Sequence, residues 1–256
     1  MANLEIHQFP CLSDNYGVLI RDADAGVCAS IDAPDADAVK AALADKGWQL
    51  THILVTHHHW DHTQGNEALK AETGCEIIGP RGEADKVPGI DRKVGEGDNF
   101  KFGNFDVQVA ETPGHTAGHI IYHIPDAKAA FVGDTLFAMG CGRVIEGKMD
   151  QMWSGVEKVA KLPPDTALYC GHEYTVANAE FAMSVEPGNT TLQKRVEEVK
   201  ALRADGKPTL PTTVARELET NPFIRVGSPE IRANLGLQNA SDAEVFAEVR
   251  TRKNNF

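Results

Sequence analysis

The stretch Thr56-His57-His58-His59-Trp60-Asp61-His62 holds four of the chain's ten histidines within six residues. Imidazole and carboxylate are the donors that suit zinc, iron or manganese, so a run this dense points to metal coordination. The spacing His57-x-His59-x-Asp61-His62 is too tight for the i, i+4 histidine pair of a helical zinc motif. It fits a turn leaving a strand, where residues two apart share a side and Asp61 and His62 turn elsewhere as a helix begins. One turn supplies only part of a coordination sphere.

Further donors stand downstream, each after a strand pattern and beside a glycine that permits sharp chain reversal. "TPGHT" places His115, "FVGDT" places Asp134 and "YCGHEY" places His172. Loops gathered at one sheet edge would bring His57, His59, Asp61, His62, His115, Asp134 and His172 together. Seven donors exceed the needs of one tetrahedral zinc and match two ions sharing a carboxylate. Taken singly, each histidine is as well explained as an ordinary core or surface residue; the whole set is not. His7, His52, His119 and His123 have no donor context and His58 alternates away from its neighbours, so structural roles are expected for these five.

The elements that must position these donors are legible in the patterning. "NLEIHQ" and "FDVQVAE" alternate with period two, whereas "HILVT" and "AAFVG" are short apolar runs suited to buried strands. Asp35 can cap a helix carrying Val39, Ala42 and Leu43 on one face, ended by Gly47. Another helix is expected near Met152 to Lys161, stopped by Pro163 and Pro164. After about Tyr174 strand signals disappear. Leu192, Val196, Val199 and Leu202 lie at helical spacing before Gly206 and Pro208, Ser228-Pro229 opens a further helix, and "SDAE" at Ser241 to Glu244 is a capping box. The expected organisation is an α/β domain over residues 1–173 and a smaller all-helical domain over 174–256.

Composition narrows the function classes. The 256 residues are 42% hydrophobic and 24% charged, with a formal charge of -12. Such a surface repels nucleic acid and anionic lipid, which call for clustered Lys and Arg, so neither is expected as a partner. No basic-then-apolar leader and no apolar run of membrane-spanning length is seen. Five scattered cysteines without a CxxC pair suit a reducing cytoplasm, as small core residues. No coiled-coil seam is evident, so a monomer is expected.

These residues resemble the metallo-β-lactamase superfamily, whose HxHxDH signature is read here as His57, His59, Asp61 and His62. Within it the chain is similar to the hydroxyacylglutathione hydrolase (glyoxalase II) family. The likeness runs through "THHHWDHTQGN", "VPGIDRKVGEGD", "ETPGHTAGHI", "VGDTLF", "GCGRVIEG", "YCGHEYT", "VEPGN", "NPFIR" and "RTRK". It implies an α/β (α+β) fold, an αββα sandwich followed by a small helical domain. It implies two divalent metal ions, with zinc first and iron or manganese as alternatives. His57, His59 and His115 would hold one, Asp61, His62 and His172 the other, and Asp134 would bridge them. Asp61 and Asp134 would be the catalytic carboxylates. Arg143, Tyr174, Arg250 and Lys253 would bind the glutathione part of the substrate, Arg and Lys answering its carboxylates. On pattern alone, Arg250 and Lys253 read as a solvated helix end complementing the dipole. One departure stands out: two places after Arg143, where the family commonly carries an aromatic residue, this chain has Ile145, which offers neither hydroxyl nor ring face.

The reaction implied is hydrolysis of S-D-lactoylglutathione and related 2-hydroxyacyl glutathione thioesters, the second step of methylglyoxal detoxification. Metal ions would lower the pKa of water so that hydroxide attacks the thioester carbonyl, without a Ser or Cys nucleophile. Cys141 and Cys170 lie nearest the site in sequence but form no evident Cys-His arrangement. The alternatives are another superfamily hydrolase such as a lactonase, an iron-dependent persulfide dioxygenase, or a non-catalytic metal- or glutathione-binding module.

Overall fold

The strand and helix signals take form in two units, Met1–Glu111 with Thr116–Gly133, and Thr112–His115 with Asp134–Phe256. The computed structural model describes residues 3–256. The first unit contains a six-stranded mixed sheet in the order β1 (Leu4–Cys11), β2 (Asn15–Asp22), β3 (Val27–Ile31), β4 (His52–Leu54), β5 (Glu76–Pro80) and β6 (Arg92–Val94). β1, β2 and β3 pair antiparallel, and β3 to β6 pair in parallel. Parallel neighbours need crossovers, and helices supply them: α1 (Ala36–Lys46) before β4, then α2 (Trp60–Thr63) and α3 (Asn66–Thr73) before β5.

Local chemistry sets these elements. The Asp35 carboxylate accepts from the Asp37 and Ala38 amides at the start of α1, and Gly47 closes it in the left-handed region. Val39, Ala42 and Leu43 are buried with Leu19, Ile53, Val55, Leu69 and Ile77. The apolar run through β4 is explained by burial on both faces: Ile53, Leu54 and Val55 have no exposed surface. Four antiparallel strands of this unit form a second layer, β7 (Asn99–Phe102), β8 (Phe105–Glu111), β9 (Ile120–Ile124) and β10 (Ala129–Gly133). Tyr122 of β9 joins the layers, its hydroxyl donating to the Val55 carbonyl at 2.8 Å. Burial pushes that phenol far above its ordinary pKa, so it remains a donor.

The second unit holds the hairpin β11 (Leu136–Phe137) and β12 (Gly140–Cys141), then α4 (Met149–Ala160) and the pair β13 (Ala167–Cys170) and β14 (Thr212–Thr213). Helices α5 (Thr175–Val185), α6 (Thr190–Ala204), α7 (Val214–Thr220), α8 (Pro229–Leu235) and α9 (Asp242–Asn254) complete it. The Ser241–Glu244 capping box forms at α9, and Gly236 ends α8. Helix α4 begins about a turn earlier than its apolar spacing indicates, because Gln151 Oε1 accepts from the Lys148 amide. β14 is a strand within the segment expected to be all helical; two residues are too short for a period to be visible.

A buried ion pair ties the helices to the hairpin. Glu217 Oε1 accepts from Arg195 at 2.5 Å and from Thr212 at 2.6 Å. Its Oε2 accepts from the Met139 amide and from Asn221 Nδ2, which also donates to the Gly140 carbonyl. The hairpin turn, where Met139 adopts φ 55, is thus held by α6, α7 and the residue after α7.

A second buried carboxylate makes stability pH-dependent. Burial raises the pKa of Glu186, but hydrogen bonds from Arg225, Ser228 and Asn189 outweigh it and hold the carboxyl below its ordinary 4.5. A folded-state pKa below the unfolded one stabilises the fold above about pH 4.5, and this contribution is lost as pH falls through the folded value. Glu186→Gln is expected to cost about 2–3 kcal/mol at pH 7. In urea melts the gap to the unsubstituted protein should close as pH drops below about 4.5; a gap independent of pH would contradict this.

Candidate metal centre

The dense histidine run lies where β4 ends. Val55 extends the strand by donating to Ile78, and His57 follows fully buried. His59 stands at the N-terminus of the one-turn helix α2 and accepts at its carbonyl from the His62 amide. His57 Nε2 lies 3.2 Å from His59 Nδ1. Asp61 and His62 follow on α2, with His62 Nε2 3.8 Å from Asp61 Oδ2. Four of the seven expected donors are therefore gathered in the first unit by one strand end and one helical turn.

The other three are gathered in the second unit. His115, Asp134 and His172 come just after the ends of β8, β10 and β13, as the strand-then-glycine pattern indicates. His115 Nε2 lies 3.3 Å and His172 Nε2 3.5 Å from the same oxygen, Asp134 Oδ2. Ligands about 2.0–2.1 Å from a tetrahedral ion stand about 3.3 Å from one another. The 3.2, 3.3 and 3.5 Å separations fit that spacing, and the donor set of imidazoles and carboxylates fits a divalent ion of the zinc, iron or manganese kind.

Partners outside the donor set orient it. His115 Nδ1 donates to the Arg143 carbonyl at 2.9 Å, which leaves the lone pair on Nε2. His62 Nδ1 lies 2.8 Å from Asp32 Oδ2. Asn15 Nδ2 donates to both the carbonyl and a carboxylate oxygen of Asp61. His58 is held apart: the buried Glu83 accepts from its amide at 2.7 Å and stands 3.1 Å from its Nδ1. The other oxygen of Glu83 accepts from the Gly118 amide. Asn15, Asp32 and Glu83 carried no signal in the pattern, because their partners lie 46, 30 and 25 residues away.

Two glycines explain why "GCGR" reads as it does. A Cβ on Gly142 would stand 2.0 Å from the Asp134 carbonyl oxygen, and one on Gly140 would stand 2.3 Å from Asn178 Nδ2. The residues expected to bind substrate all lie in the second unit but differ in setting. Arg143 is exposed, and Tyr174 stacks on His172 with 4.7 Å between ring centroids while its own ring stays part-exposed. Arg250 is buried, donates to the Cys141 carbonyl at 2.8 Å and lies over the Phe223 ring. Lys253 is half-buried and donates to the Ala177 carbonyl. Ile145 is exposed.

Thiol catalysis is disfavoured. Cys141 is buried and its pKa is pushed up to about 11 by desolvation, against the pull of Arg250. Cys170 is raised well above its ordinary value, chiefly by burial and then by Glu217 and Asp134. Neither offers thiolate at neutral pH.

Comparison with known proteins agrees with this geometry. Residues 23–172 match the profile of the Metallo-beta-lactamase superfamily. Among solved structures, ETHE1 from Myxococcus xanthus superposes with a TM-score of 0.66 at 26% identity, covering 97% of this chain and 98% of that one. The fold and site are those of a metallo-β-lactamase-type hydrolase that uses divalent metal. Residues 173–256 match the profile "Hydroxyacylglutathione hydrolase C-terminus". The chain is 56% identical over all 256 residues, and over the whole of its relative, to the hydroxyacylglutathione hydrolase of Rhizobium meliloti, and 56% identical to that of Brucella anthropi over 99% of this chain and 97% of the other. The chain belongs to the hydroxyacylglutathione hydrolase family.

The close approach of Gly142 to Asp134 sets an expectation. Gly142→Ala should destabilise the protein by about 1–3 kcal/mol. Gly227→Ala, where an added Cβ meets nothing within 4 Å, should stay within about 0.5 kcal/mol. Equal effects in chemical denaturation would show that the Asp134 backbone is not fixed by this contact.

Proposed function

We propose that the chain hydrolyses S-D-lactoylglutathione, and related S-2-hydroxyacylglutathiones, to the 2-hydroxy acid and glutathione, as the second step of methylglyoxal detoxification. The observation that carries this reading is full-length identity of 56% to curated hydroxyacylglutathione hydrolases in a chain that retains all seven donors. Residues 1–173 would form the catalytic domain and 174–256 the substrate-binding domain, a division supported by the boundary between the two matched profiles.

His57, His59 and His115 would hold one divalent ion, Asp61, His62 and His172 a second, and Asp134 would be shared. Zinc is the first choice for these ligands, with iron and manganese also suited. When bound, the ions lower the pKa of water toward neutrality and polarise a carbonyl. Asp61, fixed by Asn15, would orient the water that attacks the thioester carbon. Departure of glutathione as a thiolate needs no strong general acid, and the high thiol pKa of Cys141 keeps it out of the reaction.

The exposed Arg143, with Tyr174, Arg250 and Lys253, would receive glutathione. Arg143 and Lys253 answer its carboxylates directly. The contribution of Arg250 is made through the hairpin it braces at Cys141. Five free, buried cysteines support a cytoplasmic setting, and no helix among the described residues is long and apolar enough to cross a membrane. A monomer is proposed.

The test is to follow thioester loss and oxygen uptake together on metal-replete protein with S-D-lactoylglutathione. Thioester loss without oxygen uptake is expected; oxygen uptake, or no thioester loss, would overturn the reading. His59→Ala should lower kcat by at least about 100-fold, whereas Arg250→Ala should mainly raise KM, because only the first acts on interactions made in the transition state. An unchanged KM in Arg250→Ala would remove that residue from the substrate site.

A further inference from the structure

A chain of hydrogen bonds links two of the histidines through residues outside the donor set. Thr56 Oγ1 donates to Asp32 Oδ2 at 2.8 Å, and His62 Nδ1 lies 2.8 Å from the same oxygen. His57 Nδ1 lies 3.0 Å from Thr56 Oγ1. A carboxylate only accepts, so the proton toward His62 belongs to the imidazole. The hydroxyl's one hydrogen is engaged with Asp32, so Thr56 Oγ1 must accept from His57. Each ring, when neutral, therefore carries its proton on Nδ1 and its lone pair on Nε2.

The support is built for this purpose. Asp32 Oδ1 accepts from the Thr56 amide at 2.7 Å, so both carboxylate oxygens are engaged. Asp32 is buried and adopts φ 57, a left-handed conformation uncommon for a residue with a side chain. Ligand atoms of Asp32, His57 and His62 lie within 4.8 Å of one another. Local strain of this kind persists where the surroundings over-determine it, and it concentrates at functional sites.

We propose that Asp32 is a positioning residue for both metal sites, fixing the tautomer of His62 directly and of His57 through Thr56. One carboxylate thus sets one ligand of each ion. The inference rests on the assignment of His57 and His62 to different ions under the proposed function. Asp32→Asn would keep an oxygen toward the Thr56 amide and turn its NH2 toward His62 Nδ1. That ring nitrogen would then have to accept, which moves its proton to Nε2, where the metal would bind. Thr56→Val breaks only the branch to His57, and Thr56→Ser restores it.

The experiment has two readouts. In metal-free protein, 15N shifts of the histidine rings report the tautomers; in titrations with zinc against a competing chelator, the affinities of the two sites are read separately. Wild type should show Nδ1–H at both rings, and Asp32→Asn should move His62 to Nε2–H. Thr56→Val should weaken one ion by about 10- to 100-fold and leave the other within about threefold, Thr56→Ser should match wild type, and Asp32→Asn should weaken both. Nε2–H rings in wild type, or wild-type affinities in Thr56→Val, would overturn the proposal. Melting curves of the metal-free variants separate these effects from failure to fold. If wild type binds fewer than two ions, the two-metal assignment falls, while the tautomers still decide the role of Asp32.

Discussion

Two imidazole nitrogens converge on one oxygen of Asp134, His115 Nε2 at 3.3 Å and His172 Nε2 at 3.5 Å. A carboxylate buried this deeply needs positive charge beside it, which divalent ions held by His115 on one side and His172 on the other would supply. Much of the second unit follows from holding that convergence. Gly142 lets the chain pass against the Asp134 carbonyl, Arg143 offers its carbonyl to His115, and Arg250 braces Cys141 between Gly140 and Gly142. Behind the hairpin stands Glu217, with no exposed surface, binding the Met139 amide on one side and Arg195 on the other. A buried ion pair is weak evidence for stability, but removing one partner of this pair would release the turn that leads to Arg143.

The first unit solves the same problem by different means. Its donors come from one strand end, so the backbone fixes their spacing and the side-chain partners need only fix ring orientation. Asp32 does this for His62, while Asn15 at the start of β2 holds the Asp61 carboxylate and Glu83 engages His58. Glu83 accepts from the His58 amide and stands 3.1 Å from its ring Nδ1, apart from the donor pair. The middle one of three consecutive histidines is thereby set apart from the two beside it.

Much of this was legible in the chain because it is local. The strand-turn-helix reading of the histidine run, the Asp35 cap, the Gly47 stop and the Ser241 capping box each depend on residues within a dozen positions, and each is found. The continuous apolar run before His57 was readable as a buried strand because parallel pairing leaves no solvent face. Asp32 was not legible: nothing in "SIDAPD" separates an acid that orients histidines from one that begins a turn. Arg250 was readable as a basic residue near a helix end, but its burial, its place over the Phe223 ring and its bond to Cys141, 109 residues distant, are tertiary facts. The residues expected to bind glutathione therefore rest on resemblance in a way that the histidine run does not.

The measurement that tests the central claim most directly is the location of metal in zinc-loaded protein by anomalous scattering from crystals. The expected result is two ions, one on His57, His59 and His115, the other on Asp61, His62 and His172, with Asp134 touching both. A single ion, or a pair that leaves Asp134 outside the coordination shell, would contradict it.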